Sequence, residues 1–429
     1  MVLALFMSLL IEAKPPPTID ALIKALRSPE TIAPEFRFVG CSVFHERTEP
    51  TDQATAALLS ILKNERLATP NRVAALSLIA CRSPASPSTR TAVDAAVKAS
   101  KTLSSNEEVW ELQRSLGTPW GIARSMGRLA AHPEEVTYLG IAGQSARSAE
   151  PAVLRLLSDE SAEIRLEALE VLGAIGGTAS VPPLTEFLND VRDWRAPCVA
   201  AASLARLKAI ESKDALQSAE RTAWFPPTAR CIRAALNSLE TGSQSDAGLP
   251  WHLVGEKQLV PTPIAKRGPD ELDEPALERL SVTGATRSMT PHGIFTSNVI
   301  GAPRTGLAVD GGILAGTARG EWGGELVLLS PDSGQQLLLE GNVLSIHRVG
   351  GNIIAVTGLR HLSQDRGALY RVARNASGAL KAMEWRVLPG APERSVVLPN
   401  GRLFISCSGA DIVVDEWGTI SLATEALVH

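Results

Sequence analysis

Cysteine is scarce in this chain. Cys41, Cys81, Cys198, Cys231 and Cys407 are the five among 429 residues, and no Cys-x-x-Cys pair occurs. That spacing excludes a zinc ribbon and a dense disulfide framework; buried free thiols are the first reading, with a single disulfide as the alternative. Charge of one sign is lacking too. Lysine and arginine number 42 against 46 acidic residues, a net charge of −4, and the balance is even on both sides of residue 240. Neutralising several backbone phosphates needs a basic excess, so nucleic acid is not expected as a partner. The seven histidines, His45, His132, His252, His292, His347, His361 and His429, form no His-x-x-x-His or Glu-flanked pair, and no metal site is read from their spacing. A Gly-x-Ser-x-Gly elbow, a Walker loop and a dinucleotide fingerprint are all missing, so no cofactor is expected.

What is present is the composition of a folded protein: 45% hydrophobic and 21% charged residues, in a chain long enough for two or three domains of about 150 residues. Residues 1–11, MVLALFMSLLI, are too few to span a membrane but suit the apolar core of a signal peptide, with Ala13 available to close a cleavage site. No Lys or Arg precedes the run and Glu12 interrupts the cleavage region, so the competing reading is an N-terminal helix packed on the first repeat. The expected location is therefore periplasmic or secreted, with cytoplasmic as the alternative. Pro15–Pro17 make a stiff extended spacer, and residues 1–17 precede the folded structure.

Residues 18–240 read as a helical solenoid. The segment PAVLRLLSDESAEIRLEALEVLGAIGG (151–177) holds a short apolar helix, a break at Ser158-Asp159, and a second helix with Ile164, Leu166, Ala168, Leu169 and Leu172 on one face, stopped by Gly173, Gly176 and Gly177. The pattern returns over 181–210 and 214–240, placing Arg165, Arg195 and Arg230 at the start of successive second helices, with Arg72 as an earlier copy. One helix pair cannot bury its apolar face alone, so the copies must stack. The period, the paired helices and the Asp193-Trp194-Arg195 junction resemble HEAT-like repeats of the phycobilisome-lyase type, which implies an α-solenoid that holds partners. No bilin-handling motif matches residue by residue. The repeated arginines read as pairing with acids and helix-end carbonyls of the neighbouring repeat. Trp194 and Trp224, at one place in successive copies, are either an exposed binding edge or inter-repeat packing.

Residues 241–290 read as a linker: TGSQSDAGLP is turn-rich, four prolines follow, and Asp270–Glu274 are clustered acids, with one short helix over Leu272–Leu280. Residues 291–429 read as β-sheet. Turns at Asp310-Gly311-Gly312, Gly350-Gly351-Asn352 and Pro399-Asn400-Gly401 each lead into an apolar strand, and each copy holds four strand candidates. Four-stranded copies of about 40 residues resemble β-propeller blades, which implies an all-β propeller-like domain. Three blades are too few to close a ring, so either residues 251–300 supply a divergent blade, or the ring stays open, or two chains share a six-bladed ring as a homo-oligomer.

The fold class expected is thus multidomain α and β, an N-terminal HEAT-like α-solenoid followed by an all-β propeller-like domain. Candidate binding residues lie in two loops that should emerge on one face of the sheets, Arg319, Glu321 and Trp322 in the first and His361, Asp365 and Arg366 in the second, together with Trp194 and Trp224 of the solenoid. No catalytic constellation is visible. The leading expectation is a non-enzymatic protein-binding or scaffold protein, including the narrower case of a toxin-neutralising immunity protein of a bacterial envelope. A glycan-binding or glycan-active β domain is the alternative, in which Glu321 and Asp365 would share a cleft.

Overall fold

The computed structural model describes residues 19–28, 52–80, 85–242, 268, 270–290, 293–332, 334–362 and 364–424. The apolar N-terminal segment, the proline spacer, Cys41 and Cys81 lie outside these residues, as does most of the turn-rich stretch after residue 242. By packing the chain divides into two compact units, 1–156 with 174–177, and 157–173 with 178–429. The division by packing differs from the division by composition, because the last helical repeats belong with the β-sheets.

In the first unit the helix starts are written locally. Ser86 accepts from the Thr89 amide ahead of the helix Pro87–Ala99, and Thr118 accepts from the Gly121 amide ahead of Pro119–Arg128. Both helices carry proline in the first turn, where its missing N–H costs nothing. Leu58, Leu62, Leu76, Ile79, Val93 and Leu103 are fully buried in the shared core. Arg90 donates to the carbonyls of Ala142 (2.7 Å) and Ile141 (3.2 Å), satisfying the end of the helix Val136–Ala142.

In the second unit the helices Ala162–Ile175, Ala196–Arg206 and Pro226–Thr241 are the second helices of successive repeats. Gly173 does not end its helix, as the sequence pattern suggested. It lies inside, where a Cβ would stand 2.5 Å from the Ser203 hydroxyl; glycine there lets adjacent helices approach closely. Ser203 in turn donates to the Leu169 carbonyl at 2.8 Å. Cys198 and Cys231 are joined by a disulfide between neighbouring second helices, so the free-thiol reading fails for this pair, while Cys407 is a buried thiol. The repeated arginines brace helix junctions: Arg165 donates to the carbonyls of Asp159 and Glu160, Arg195 pairs with Asp193 and Glu163, and Arg72 donates to the Leu62 carbonyl.

The β region begins earlier than the composition suggested. β1 (Val282–Thr290) and β2 (Gly293–Gly301) form a two-stranded hairpin inside and beyond the expected linker. Upstream, Asp273 caps the short helix Glu274–Glu278, with Pro275 in its first turn. Three four-stranded antiparallel sheets follow, each a meander of consecutive strands. They are β3 to β6 (Thr305–Val309, Gly312–Gly316, Glu325–Ser330, Gly334–Glu340), β7 to β10 (Val343–Val349, Asn352–His361, Gln364–Arg374, Leu380–Leu388) and β11 to β14 (Pro392–Val397, Leu403–Cys407, Asp411–Val414, Ile420–Leu422). The strands of the middle sheet fall on VLSIHRV, NIIAVTGL, GALYRVAR and LKAMEWRVL, but β8 runs on to His361 and β9 begins at Gln364, so the loop expected between them is strand pairing nearly to its tip. Gly312, at φ +148°, makes the first tight turn, and a Cβ there would collide with the Leu329 carbonyl.

Edges are covered by local devices. Residues 270–272 add a short antiparallel extension to β3 through Leu272 N–H to Gly306 O (3.0 Å) and Ala308 N–H to Asp270 O (2.9 Å). The Gln335 side chain bonds both backbone groups of Thr283, standing in for ladder hydrogen bonds between β6 and β1. The outer strand β10 meets the helical repeats, where Val387 N–H donates to Arg192 O at 2.8 Å. Phe225 of the last repeat is buried with Leu388, Leu403, Ile405 and Ile412 of the sheets, one core shared by helix and strand.

Candidate binding cleft

The loop after β4 is shaped around a buried carboxylate. Glu325 accepts from the Thr317 hydroxyl (2.7 Å), the Ala285 amide (3.0 Å) and the Arg319 guanidinium. Burial pushes this carboxyl up, but those donors and the arginine charge outweigh it and hold the pKa below the ordinary value. Arg319 also donates to the Ala285 carbonyl, and its backbone amide donates to Asn342. It is a brace of the loop, and it does not line the cleft described next.

Beyond that brace, Gly320–Trp322 turn outward. Glu321 pairs with His361 at 2.8 Å, joining the two loops singled out in the sequence, and the Trp322 ring is 45% exposed. The second expected loop is instead the tip of the β8–β9 hairpin: His361 ends β8 and pairs with Gln364, so Asp365 and Arg366 stand on β9, where Asp365 accepts from the Ala391 amide (2.7 Å) and the Ser408 hydroxyl (2.6 Å), tying β9 to the residues just before β11 and just after β12. Arg366 beside it is exposed.

These segments open onto one cleft of about 960 Å³ inside the second unit. Its walls come from three sources. The loop after β4 supplies Glu321 and Trp322; the strands supply Leu337, Glu340, Asp365, Arg366, Tyr370 and Glu384; the helical repeats supply Ser161, Glu163, Trp194 and Arg195. His361 and Trp224 stand outside it. Six carboxylates line the cleft, Glu163, Glu321, Glu325, Glu340, Asp365 and Glu384, against the two arginines Arg195 and Arg366.

Of the two readings of Trp194 and Trp224, an exposed edge or packing, the structure shows packing, which reaches beyond the repeats to the sheet core. Trp194 meets Phe225 edge-on at 4.9 Å between ring centres and donates its indole N–H to the Leu388 carbonyl at 3.1 Å. Trp224 lies tilted over the same phenylalanine at 5.2 Å. Their aromatic area joins helical repeat to sheet core, and Trp194 adds only a face to the cleft wall.

Tyr370 and Glu384 were missed in the sequence. They are cross-strand partners on β9 and β10, and the signal was a charged residue at an inward position of an otherwise half-apolar strand. Burial raises the Glu384 carboxyl, Arg165 at 3.5 Å opposes that, and the result stays above the ordinary value; burial and the Glu384 charge push the Tyr370 hydroxyl to about 12. Arg195 is held charged: burial disfavours its charge, but Asp193 and Glu163 outweigh that.

With the geometry in place, the repeats can be assigned. Residues 135–205 and 150–240 match the sequence family of HEAT repeats. The chain thus carries a HEAT-repeat region followed by an all-β region. The match falls on the helices that supply Glu163, Trp194 and Arg195 to the cleft, so its helical wall is HEAT-repeat structure. No curated protein matches the chain. Among the described residues no group of His, Cys, Asp or Glu could hold a metal ion, and no helix is long and apolar enough to cross a membrane.

Proposed function

We propose that this is a partner-binding protein whose cleft receives a positively charged segment of another protein. The observation that carries this reading is the composition of the cleft wall, where HEAT-repeat residues, the loop after β4 and the strands converge with carboxylates in excess. Arg319 offsets Glu325, and Asp193 and Glu163 offset Arg195, so the cleft wall as a whole, with Glu321, Glu340 and Asp365 on it, stays acidic toward an incoming cation. Trp322 and Leu337 on the same wall offer apolar area for the stems of Lys and Arg.

Calorimetric titration with a Lys/Arg-rich peptide and its Glu/Asp-rich counterpart tests the reading. Binding of the basic peptide alone, weakening with salt and lost in Glu321→Lys/Glu340→Lys, supports it. Equal binding of both peptides, or no effect of the charge reversal, refutes it. A glycan ligand is a second reading, favoured by the exposed Trp322 ring beside carboxylates, and neutral oligosaccharides in the same titration separate the two.

Four finer features belong to this proposal. The three meanders act as blades of an open propeller-like array, a reading supported by the packing of their first strands in series, β3 on β7 and β7 on β11. Two chains sharing a ring would make that array a homo-oligomer. The protein is exported to an oxidising compartment, supported by the Cys198–Cys231 disulfide. The lyase-type kinship of the HEAT repeats rests on the Asp193-Trp194-Arg195 junction alone.

A further inference from the structure

Outside the cleft, three side chains from separate segments meet where the first strands of successive sheets pack together. His347 on β7 places Nδ1 2.8 Å from a Glu271 carboxylate oxygen and Nε2 2.8 Å from the Ser395 hydroxyl on β11. A second hydroxyl, Ser345, stands 2.5 Å from the Ser395 oxygen. Ser345 and His347 are two residues apart on one strand and so share a face, which brings both to β11. The imidazole is almost wholly buried at 8% side-chain exposure, with Glu271 at 22%, and Ser395 is half-buried.

We propose that Ser395, His347 and Glu271 form an acyl-transfer site acting on carboxylic esters. Nucleophile to base and base to orienting carboxylate are the two hydrogen bonds such a site needs, and chain order is immaterial to it. Glu271 holds the imidazole with its proton on Nδ1, so Nε2 accepts the Ser395 proton. The serine oxygen then bonds to the ester carbonyl carbon, and the carbonyl electron pair moves onto its oxygen, where the Ser345 hydroxyl donates. Collapse breaks the bond to the alcohol, which leaves with the proton returned from Nε2. Water, deprotonated by His347, attacks the acyl carbon; collapse breaks its bond to the Ser395 oxygen, which takes the proton back from Nε2, and the carboxylic acid leaves. Ester and water become acid and alcohol, with no other reactant. Ser395 and His347 are the catalytic residues, and Glu271 is a positioning residue.

A hydrogen-bonded network serving only to align strands would leave the serine unreactive, and a fluorophosphonate probe distinguishes the two. In the reaction the Ser395 oxygen displaces fluoride from phosphorus, and mass spectrometry locates the adduct. The expected result on the full-length protein is modification at Ser395 when folded and none after urea unfolding. Labelling is lost in Ser395→Ala and slowed by about 10²-fold or more in His347→Gln, with parallel loss of p-nitrophenyl acetate turnover. Glu271→Gln lowers the labelling rate at unchanged unfolding temperature, and Glu271→Asp restores part of it. Folded wild-type protein left unmodified at Ser395, or labelling that is equal in folded and unfolded protein or indifferent to His347, overturns the proposal.

Discussion

Trp194 shows how one residue can serve two structures. Its indole hydrogen bond to Leu388 and its edge contact with Phe225 tie a HEAT repeat to the sheet core. Trp194→Ala should cost about 3 kcal/mol of unfolding free energy, as truncations of packed tryptophan do, read from urea denaturation. A midpoint shift too small to resolve would mean the indole is not part of that core. Two carboxylates give the protein opposite pH signatures. Glu325 has a pKa below the ordinary 4.5, so its contribution is full above that value and is lost as pH falls through the depressed one. Glu384 has a raised pKa, so its contribution is full below 4.5 and is lost as pH rises through the raised one. Glu384→Gln should therefore match wild type in acid and be the more stable at neutral pH, whereas Glu325→Gln should match in acid and be the less stable at neutral pH. Denaturation midpoints across this range check both signs.

At the scale of elements, the disulfide between the second helices of the last two repeats spans 33 residues. Reducing it, or replacing both cysteines by serine, should lower stability by about 3–4 kcal/mol through loop-closure entropy; a midpoint indifferent to reductant would show that the thiols are not joined. The repeats and meanders were legible because each is written in local chemistry. Arg165 and Arg195 recur at helix junctions, and Gly311-Gly312 and Gly350-Gly351 recur at turns between short apolar strands. What depends on distant pairing was not legible. The β1–β2 hairpin hid in a segment whose prolines and acids read as linker, and the extension at residues 270–272 exists only because β3 offers an open edge. Gly173 looked like a helix stop, and only the approach of Ser203 reveals its use. In the cleft, the Glu321 loop and the Asp365 segment could be picked out by composition, although the second proved to be strand. Glu384, Tyr370 and Glu163 could not, since each faces the cleft only after helix and strand have docked. The Glu271–His347–Ser395 cluster spans 124 residues and carries no local spacing at all.

At the scale of the whole molecule, two architectures that commonly hold other molecules meet at one acidic cleft, and the helical repeats form part of its wall. Such a site should bind through electrostatic attraction reinforced by a few apolar contacts, so raising salt should slow association more than it speeds dissociation. Stopped-flow or surface-binding kinetics with the captured partner would show this as a falling on-rate. The most direct measurement is photo-crosslinking from two positions in cells of the protein's source. A photoreactive residue replaces Leu337, half-exposed on the cleft wall, or Ile210, comparably exposed on a repeat turn outside the cleft. An adduct with a partner's basic segment from position 337, absent from 210 and removed by Glu321→Lys/Glu340→Lys, is the expected result. Adducts from 210 alone, or from both positions irrespective of the cleft charges, would contradict the cleft as the binding site.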